Sequence, residues 1–211
     1  MARNPLRSWL RGKLLDGFWY PLFRSGVAKT YATISLGYRF KESFSLYGHV
    51  PAGAAELYQL ILLVIGLAWL GFVMNPLSQV LSLPITQSMG AALALYPPTE
   101  LLLFSLDWVF SAPRALRSYR RSLATFLLAL VEVATYFTIA YTLAGCHLPF
   151  ANAVANMTGS LFSLMRLQVF EAGGNSICSI MSHYQFVVGV WIIGIVVASL
   201  VGAVVRGERE S

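Results

Sequence analysis

Apolar residues occur along this chain in long, nearly uncharged runs. A helix needs about 20 consecutive apolar residues to cross a hydrocarbon layer of about 30 Å. Four runs have about this length, and turn-forming or charged residues bound them. They predict an all-α integral membrane protein with four transmembrane helices. The runs are Leu57–Met74, Ile85–Phe110, Ser122–Gly145 and Tyr184–Val205.

The second run is interrupted by Pro97 and Pro98. Proline removes a backbone donor and clashes with the preceding turn, so this pair predicts a kinked or broken helix. The interpretation we favour is a broken helix that crosses the membrane. In the alternative, the crossing starts near Pro98 and the preceding residues lie at the membrane interface.

The charged residues agree with a membrane location and indicate an orientation. Charged residues make up 11% of the chain, against about 25% in a typical soluble domain. Every Lys and Arg except Arg166 lies before the first run, between the second and third, or after the last. Because cytoplasmic loops carry the excess of basic residues, we expect both termini to be cytoplasmic. The basic positions are Arg3, Arg7, Arg11, Lys13, Arg24, Lys29, Arg39, Lys41, Arg114, Arg117, Arg120, Arg121, Arg206 and Arg209.

The runs divide the chain into four parts. Residues 1–50 mix basic and aromatic side chains, which favours a helix lying in the headgroup layer, with a disordered basic tail as the alternative. Residues 51–121 hold the first two spans and a cytoplasmic Arg loop. Residues 122–206 hold the last two spans and the segment between them, and residues 207–211 form a cytoplasmic tail.

The segment Pro149–Phe170 is apolar but carries Asn, Thr and Ser side chains and Arg166. Arginine at the centre of a bilayer costs about 2.5–3.5 kcal/mol, and a further crossing would place the C-terminal tail outside. We therefore predict a short re-entrant helix that returns through the glycine-rich segment Glu171–Asn175. Such backbone persists at membrane depth only when it is buried in protein or lines water.

Residues in this region resemble the pore domain of tetrameric potassium-type channels. The pair Phe162-Ser163 is similar to one on the pore helix of that family, and the loop Glu171–Asn175 begins nine residues after Phe162. The resemblance implies an outer helix, a re-entrant pore helix, a filter loop and an inner helix, assembled as a homotetramer. The last span carries spaced small residues that allow close helix approach, as an inner helix does. These residues are Gly189, Gly194, Ala198 and Gly202.

The chain departs from that family at the filter, because it has no Gly-Tyr-Gly and has Arg166, Gln168 and Val169 in place of the expected threonines. Potassium selectivity rests on the carbonyls of that filter, so we predict a pore that does not select potassium. Glu171 is the expected selectivity residue, as in sodium and calcium channels, because a carboxylate ring favours cations. Gln168 is a competitor, and the alternative for Glu171 is a solvated acid paired with Arg166. The pore and filter candidates are Gln168, Val169, Phe170, Glu171, Ala172, Gly173 and Gly174.

Two cysteines and two acids are further candidates for a special role. Cys146 and Cys178 fall in the same outer segment, where they could form a disulfide in an oxidising compartment or remain free thiols. Glu100 and Glu132 lie within apolar runs, and intramembrane acids usually face the protein interior or water. We expect Glu132 to support packing against the second span, with a proton or ion route as the alternative.

These features predict passive cation transport by a pore-loop channel subunit. The alternative is a non-conducting subunit or scaffold in a larger membrane complex. The expected partners are the lipid bilayer, further copies of the chain in a tetramer and, in the alternative, a different membrane protein; nucleic acid is not expected. No metal-spaced His or Cys pair, phosphate loop or nucleophile elbow occurs, so no metal, no cofactor and no enzyme activity are predicted. An intramembrane enzyme that uses Glu132 or His147 is the remaining hypothesis.

Overall fold

The computed structural model describes residues 54–75, 84–110 and 119–207, together with Gly26, Ser35 and Leu36. These residues form helices joined by turns, without named strands. The headgroup helix predicted within residues 1–50, Arg114 and Arg117 of the Arg loop, and residues 208–211 lie outside the described residues. The helices are α1 (Ala54–Val73), α2 (Pro84–Ala94), α3 (Tyr96–Phe110), α4 (Tyr119–Leu143), α5 (Ala153–Arg166) and α6 (Ser176–Gly207).

Two of these helices are long and apolar enough to cross a membrane. Thr125–Leu143 of α4 has a mean hydropathy of 1.7, and Ser176–Gly194 of α6 has a mean hydropathy of 1.5. The apolar part of α1, Leu57–Val73, is shorter. The predicted all-helical fold is confirmed for the described part of the chain, which contains two helices able to span a bilayer by length and composition.

The central helix is α4, and α1, α2, α3, α5 and α6 all pack against it. Its residues between Ala129 and Tyr141 are buried almost without interruption. A helix that is buried around its whole circumference is typical of a bundle core. The other helices cover α4, and α6 keeps one apolar face exposed.

Contacts between α1 and α4 show that these two helices run parallel. The Tyr136 hydroxyl donates to the Leu62 carbonyl oxygen at 2.8 Å, and the Tyr136 ring packs against Gly66 on the next turn of α1. Nearer the ends of both helices, the Thr142 hydroxyl faces the Met74 sulfur at 4.0 Å. A Cβ at Gly66 would lie 3.1 Å from the Tyr136 ring, so glycine permits this close approach.

The direction of α6 is opposite to that of α4. The Tyr184 and Phe137 rings lie 5.7 Å apart, and a disulfide between Cys146 and Cys178 joins the chain after α4 to the start of α6. The hydroxyls of Thr99 and Tyr184 lie 2.8 Å apart and connect α3 to α6. α6 therefore packs against both the central helix α4 and α3, the second half of the broken α2–α3 pair.

The predicted interruption of the second apolar run is present. α2 ends at Ala94 and α3 starts at Tyr96, with Leu95 in a turn between them. Pro97 and Pro98 lie in the first turn of α3, where a missing backbone N–H breaks no intrahelical hydrogen bond. The two prolines therefore start a helix instead of ending one.

The predicted short helix between the last two spans is α5, and both of its ends are capped. The Asn152 side chain accepts a hydrogen bond from the Ala155 N–H at 2.8 Å, which satisfies a free donor at the N-terminus. Leu167 adopts a left-handed conformation after the last turn, with φ 54°. One face of α5 packs on α4 and α6. The buried residues of that face recur every four positions and are Asn156, Ser160 and Leu164.

The start of α6 differs most from the sequence prediction, because the helix begins at Ser176 instead of Tyr184. The Asn175 side chain accepts a hydrogen bond from the Cys178 N–H at 3.1 Å, which caps the helix. Hydropathy locates only the apolar part of a helix, and Ser176 to His183 is partly polar. The earlier start brings Cys178 into the first turn of α6, next to the end of α4.

Candidate functional site

The loop between α5 and α6, residues 167–175, contains the predicted filter residues. The Gln168 N–H donates to the Ser163 carbonyl oxygen at 2.9 Å, which holds the start of this α5–α6 loop against the helix. At its other end, His147 and Gly173 pair in an antiparallel bridge, and each N–H donates to the carbonyl of the other residue. The loop therefore returns from the tip of α5 to the chain that follows α4.

A disulfide between Cys146 and Cys178 closes the same region. The two Cα atoms lie 5.7 Å apart, and Cys178 is fully buried. Gly174 has φ +132°, and a Cβ at this position would lie 3.1 Å from the Cys178 sulfur. Glycine is therefore required here both by the backbone conformation and by the space. Of the two alternatives for the cysteines, the structure contains the disulfide.

Phe170 points into the bundle, unlike its neighbours in the α5–α6 loop. Its side chain is 4% exposed, and its ring stacks on Tyr141 with 5.5 Å between the ring centroids. Gln168, Val169 and Glu171 are exposed, and these three side chains are available to an ion or to a partner. The remaining filter candidates are the half-buried Ala172 and the exposed Gly173 and Gly174.

The two charges beside the α5–α6 loop are not neutralised by each other. Within the described residues, neither Glu171 nor Arg166 forms an ion pair, and both side chains are exposed. Arg166 lies in the last turn of α5, where a positive charge interacts favourably with the helix dipole. The carboxylate of Glu171 therefore remains available to attract cations at this surface.

A stripe that is apolar except for His183 runs along the exposed face of α6. Its members are spaced three or four residues apart, so they lie on one side of the helix. From first to last the stripe is about 30 Å long, which matches the hydrocarbon thickness of a bilayer. Within the described part of α6, this exposed α6 stripe consists of Ile177, Ile180, His183, Val187, Val190, Gly194 and Val197.

The predicted small residues of α6 have different surroundings. Gly189 is buried against α5, and a Cβ there would lie 2.7 Å from Leu164 Cδ2 and 3.6 Å from the Leu164 Cα. Nothing lies within 4 Å of a Cβ at Gly194, which belongs to the exposed α6 stripe. The Ala198 side chain and the surroundings of Gly202 lie outside the described part of the structure. Gly189 therefore permits the close packing of α5 on α6.

A buried hydrogen-bond chain that the sequence did not reveal links α4, α5 and α6. The Tyr141 hydroxyl donates to Gln185 Oε1 at 2.6 Å, and Gln185 Nε2 donates to the Ser160 hydroxyl oxygen. All three side chains are buried. A lone amide inside an apolar run was the available signal, because a buried polar group requires a partner. The chain fixes α5 between the two long helices.

The two acids of the apolar runs, Glu100 and Glu132, lie apart from this loop, where α1, α3 and α4 meet. Glu100 accepts hydrogen bonds from the hydroxyls of Ser35 and Tyr58. Glu132 is buried in the middle of α4, close enough to Glu100 for the two charges to interact. The structure thus places Glu132 close to α3, which lies within the second apolar run.

The described residues contain no group of three or more His, Cys, Asp or Glu side chains that could hold a metal ion. Fold and site together define an α-helical protein with two helices able to cross a membrane and a disulfide-closed loop between them. Comparison with protein-family models, curated proteins and solved structures gives no match.

Proposed function

We propose that this chain is a subunit of a homotetrameric membrane channel that conducts cations passively and does not select potassium. The observation that carries the proposal is the order of α4, α5, the α5–α6 loop and α6. A short capped helix and an anchored loop lie between two helices long enough to span a bilayer. In this proposal α4 is the outer helix, α5 the re-entrant helix and α6 the inner helix.

The proposed topology has four crossings, by α1, the α2–α3 pair, α4 and α6, with both termini cytoplasmic. The parallel arrangement of α1 and α4 and the opposite direction of α6 support it, because the first and third crossings must share a direction. The basic clusters then lie on the cytoplasmic side. The 14 residues of α5 are too few to cross about 30 Å at about 1.5 Å per residue, which supports a re-entrant position.

The conduction pathway in this proposal lies between subunits. The centre of each subunit is filled by α4, whose side chains are buried among the other helices, so one subunit encloses no path for an ion. The exposed α6 stripe supports assembly because it has the length of a membrane crossing and carries Gly194 in open space. Four stripes around a common axis would surround a pathway that leads to four copies of the α5–α6 loop.

Glu171 is the residue that we assign to cation attraction. Four exposed carboxylates at the mouth of a pore favour cations over anions. Gln168 is exposed on the same loop and is the second candidate for contact with an ion. Phe170 supports the loop from behind through its stacking on Tyr141.

A second function, a non-conducting subunit or scaffold, is favoured by a different observation. The Gly173 carbonyl oxygen already accepts a hydrogen bond from the His147 N–H at 2.8 Å. A carbonyl-lined filter requires oxygens that replace the hydration shell of an ion, and this oxygen is engaged. A scaffold would assemble with a distinct membrane protein instead of further copies of itself.

Ion flux in liposomes tests the proposed function, with Glu171→Gln and Arg166→Gln as a matched pair. Both side chains are exposed and form no ion pair within the described residues, so each exchange removes a charge without breaking such a contact. We expect Glu171→Gln to lower cation flux roughly tenfold at low salt, since four carboxylates each contribute several tenths of a kcal/mol to cation attraction. Arg166→Gln should raise cation flux, and added salt should shrink both effects.

Equal cation flux in the wild type and both variants would remove Glu171 from the pathway. Reconstituted wild-type protein without any flux, together with a distinct protein that co-purifies in fixed ratio, would favour the scaffold over the channel.

A further inference from the structure

The middle of α4 carries a buried acid that the proposed conduction pathway does not use. Glu132 is 2% exposed, and its Oε2 atom has no hydrogen-bond partner among the described residues. An ionised carboxylate that is buried without a donor is a highly unfavourable arrangement. This oxygen therefore requires a donor or a positive charge that the described neighbours do not supply.

The neighbouring acid already has donors of its own. Glu100 on α3 accepts hydrogen bonds from the hydroxyls of Ser35 and Tyr58, one at each carboxylate oxygen. The negative charge of the Glu100 carboxylate interacts electrostatically with the carboxyl group of Glu132. Two ionised carboxylates in one buried junction would repel each other, so Glu132 is the member of the pair that requires neutralisation.

A second acceptor without a donor lies on α1, which packs against α4. Gln59 Oε1 on α1 is buried and has no hydrogen-bond partner within the described part of the chain. Because Tyr136 contacts Leu62 and Gly66, Glu132 one turn before Tyr136 and Gln59 one to two turns before those residues lie on the faces that α4 and α1 turn toward each other. One proton satisfies two such oxygens, since a protonated carboxyl group donates and an amide oxygen accepts.

We propose that Glu132 binds one proton at the junction of α1, α3 and α4, with Gln59 as the second oxygen of the site. The nearby hydroxyls cannot replace this proton, because Tyr58 donates to Glu100 and Tyr136 donates to the Leu62 carbonyl. Two free oxygens are also fewer than a hard metal cation takes from its ligands.

Within the described residues, the titratable groups that act on this site lie on α1, α3 and α4. Glu100 faces Glu132 from α3, Tyr58 faces it from α1, and Tyr136 lies one turn along α4. α2 carries no titratable side chain, whereas Arg166 of α5 and His183 of α6 are exposed. The proton couples three helices, because its loss would leave two negative charges between α3 and α4. This site does not depend on whether the assembled protein conducts.

Infrared spectroscopy of the protein in lipid nanodiscs at neutral pH tests the proposal. A protonated carboxyl group has a carbonyl-stretch band that an ionised carboxylate lacks, so the wild type should show this band. Glu132→Gln should abolish it, whereas the matched variant Glu171→Gln, which alters an exposed acid, should retain it. If Glu132→Gln does not fold, Glu132→Asp keeps the acid in a changed environment and should shift the band.

Two results would overturn the proposal. The first is a band that persists unchanged in Glu132→Gln, or that does not shift in Glu132→Asp. The second is thermal stability of the wild type that rises when sodium replaces a bulky organic cation at constant ionic strength, with no carboxyl band present. That second result would assign the site to a metal ion.

Discussion

Replacing Cys146 and Cys178 together by alanine should lower the free energy of unfolding by about 3–4 kcal/mol. The bridge joins residues 32 positions apart, and the chain-entropy relation gives about this value for a closed loop of that length. The same change should loosen the α5–α6 loop at the end of α4, where within the described residues the His147–Gly173 bridge and the stacking of Phe170 on Tyr141 would still hold it. Denaturant unfolding of purified protein in detergent measures the loss.

Reductant provides the control for this prediction. It should destabilise the wild type by about the same amount as the double substitution and leave the double variant unchanged. If the double variant unfolded at the same denaturant concentration as the oxidised wild type, the disulfide would not hold the loop. Two alkylatable thiols in the unreduced wild type would contradict the pairing itself.

A leucine in place of Gly189 should destabilise the bundle by about 3 kcal/mol, because even its Cβ would lie 2.7 Å from a buried Leu164 methyl group. The new side chain would push α5 away from α6 and strain the nearby Tyr141–Gln185–Ser160 chain. We expect the variant to lose any flux of the wild type, since the α5–α6 loop is held by the end of α5. Unfolding in detergent and flux in liposomes measure the two effects.

Gly71→Leu is the matched control for Gly189→Leu. Gly71 also lies within a helix, but nothing lies within 4 Å of a Cβ at that position. Both exchanges gain the same helix propensity, so the difference between the two variants isolates the packing between α5 and α6. Adding Leu164→Ala to Gly189→Leu should recover part of the lost stability, because the smaller side chain makes room for the new leucine. Equal stability of the two glycine variants would show that α5 does not pack on Gly189.

The helices could be predicted from the sequence because their signals are local. Apolar length located α1, α4 and α6, and the pair Pro97-Pro98 located the break between α2 and α3. The start of α6 was predicted at Tyr184 and lies at Ser176, because the cap by Asn175 depends on a single hydrogen bond and not on hydropathy. Local sequence patterns therefore predicted the presence of the helices more accurately than the residues at which the helices begin and end.

The site could be predicted only where spacing along the chain carries information. The two cysteines were candidates for a bridge because they share one outer segment. The burial of Phe170 depends on a stacking partner, Tyr141, that is distant in sequence. The unpaired acceptor at Glu132 likewise depends on three helices whose arrangement no local pattern encodes. Contacts between residues that are distant in sequence become visible only when the packing of the helices is known.

The two proposed sites lie in different parts of the molecule. At one end of α4, the disulfide and the His147–Gly173 bridge fix the α5–α6 loop that we assign to cation attraction. In the middle of α4, Glu132 holds the proton that we assign to the junction of α1, α3 and α4. Helix α4 is common to both, and the two proposals fail under different experiments.

Native mass spectrometry of the protein released from nanodiscs tests the fourfold pore most directly. The pathway that we propose exists only between copies, because the centre of each subunit is filled by α4. We expect an assembly of four copies of the 23.2 kDa chain and no other protein. A monomer, or a single copy bound to a different membrane protein, would contradict it.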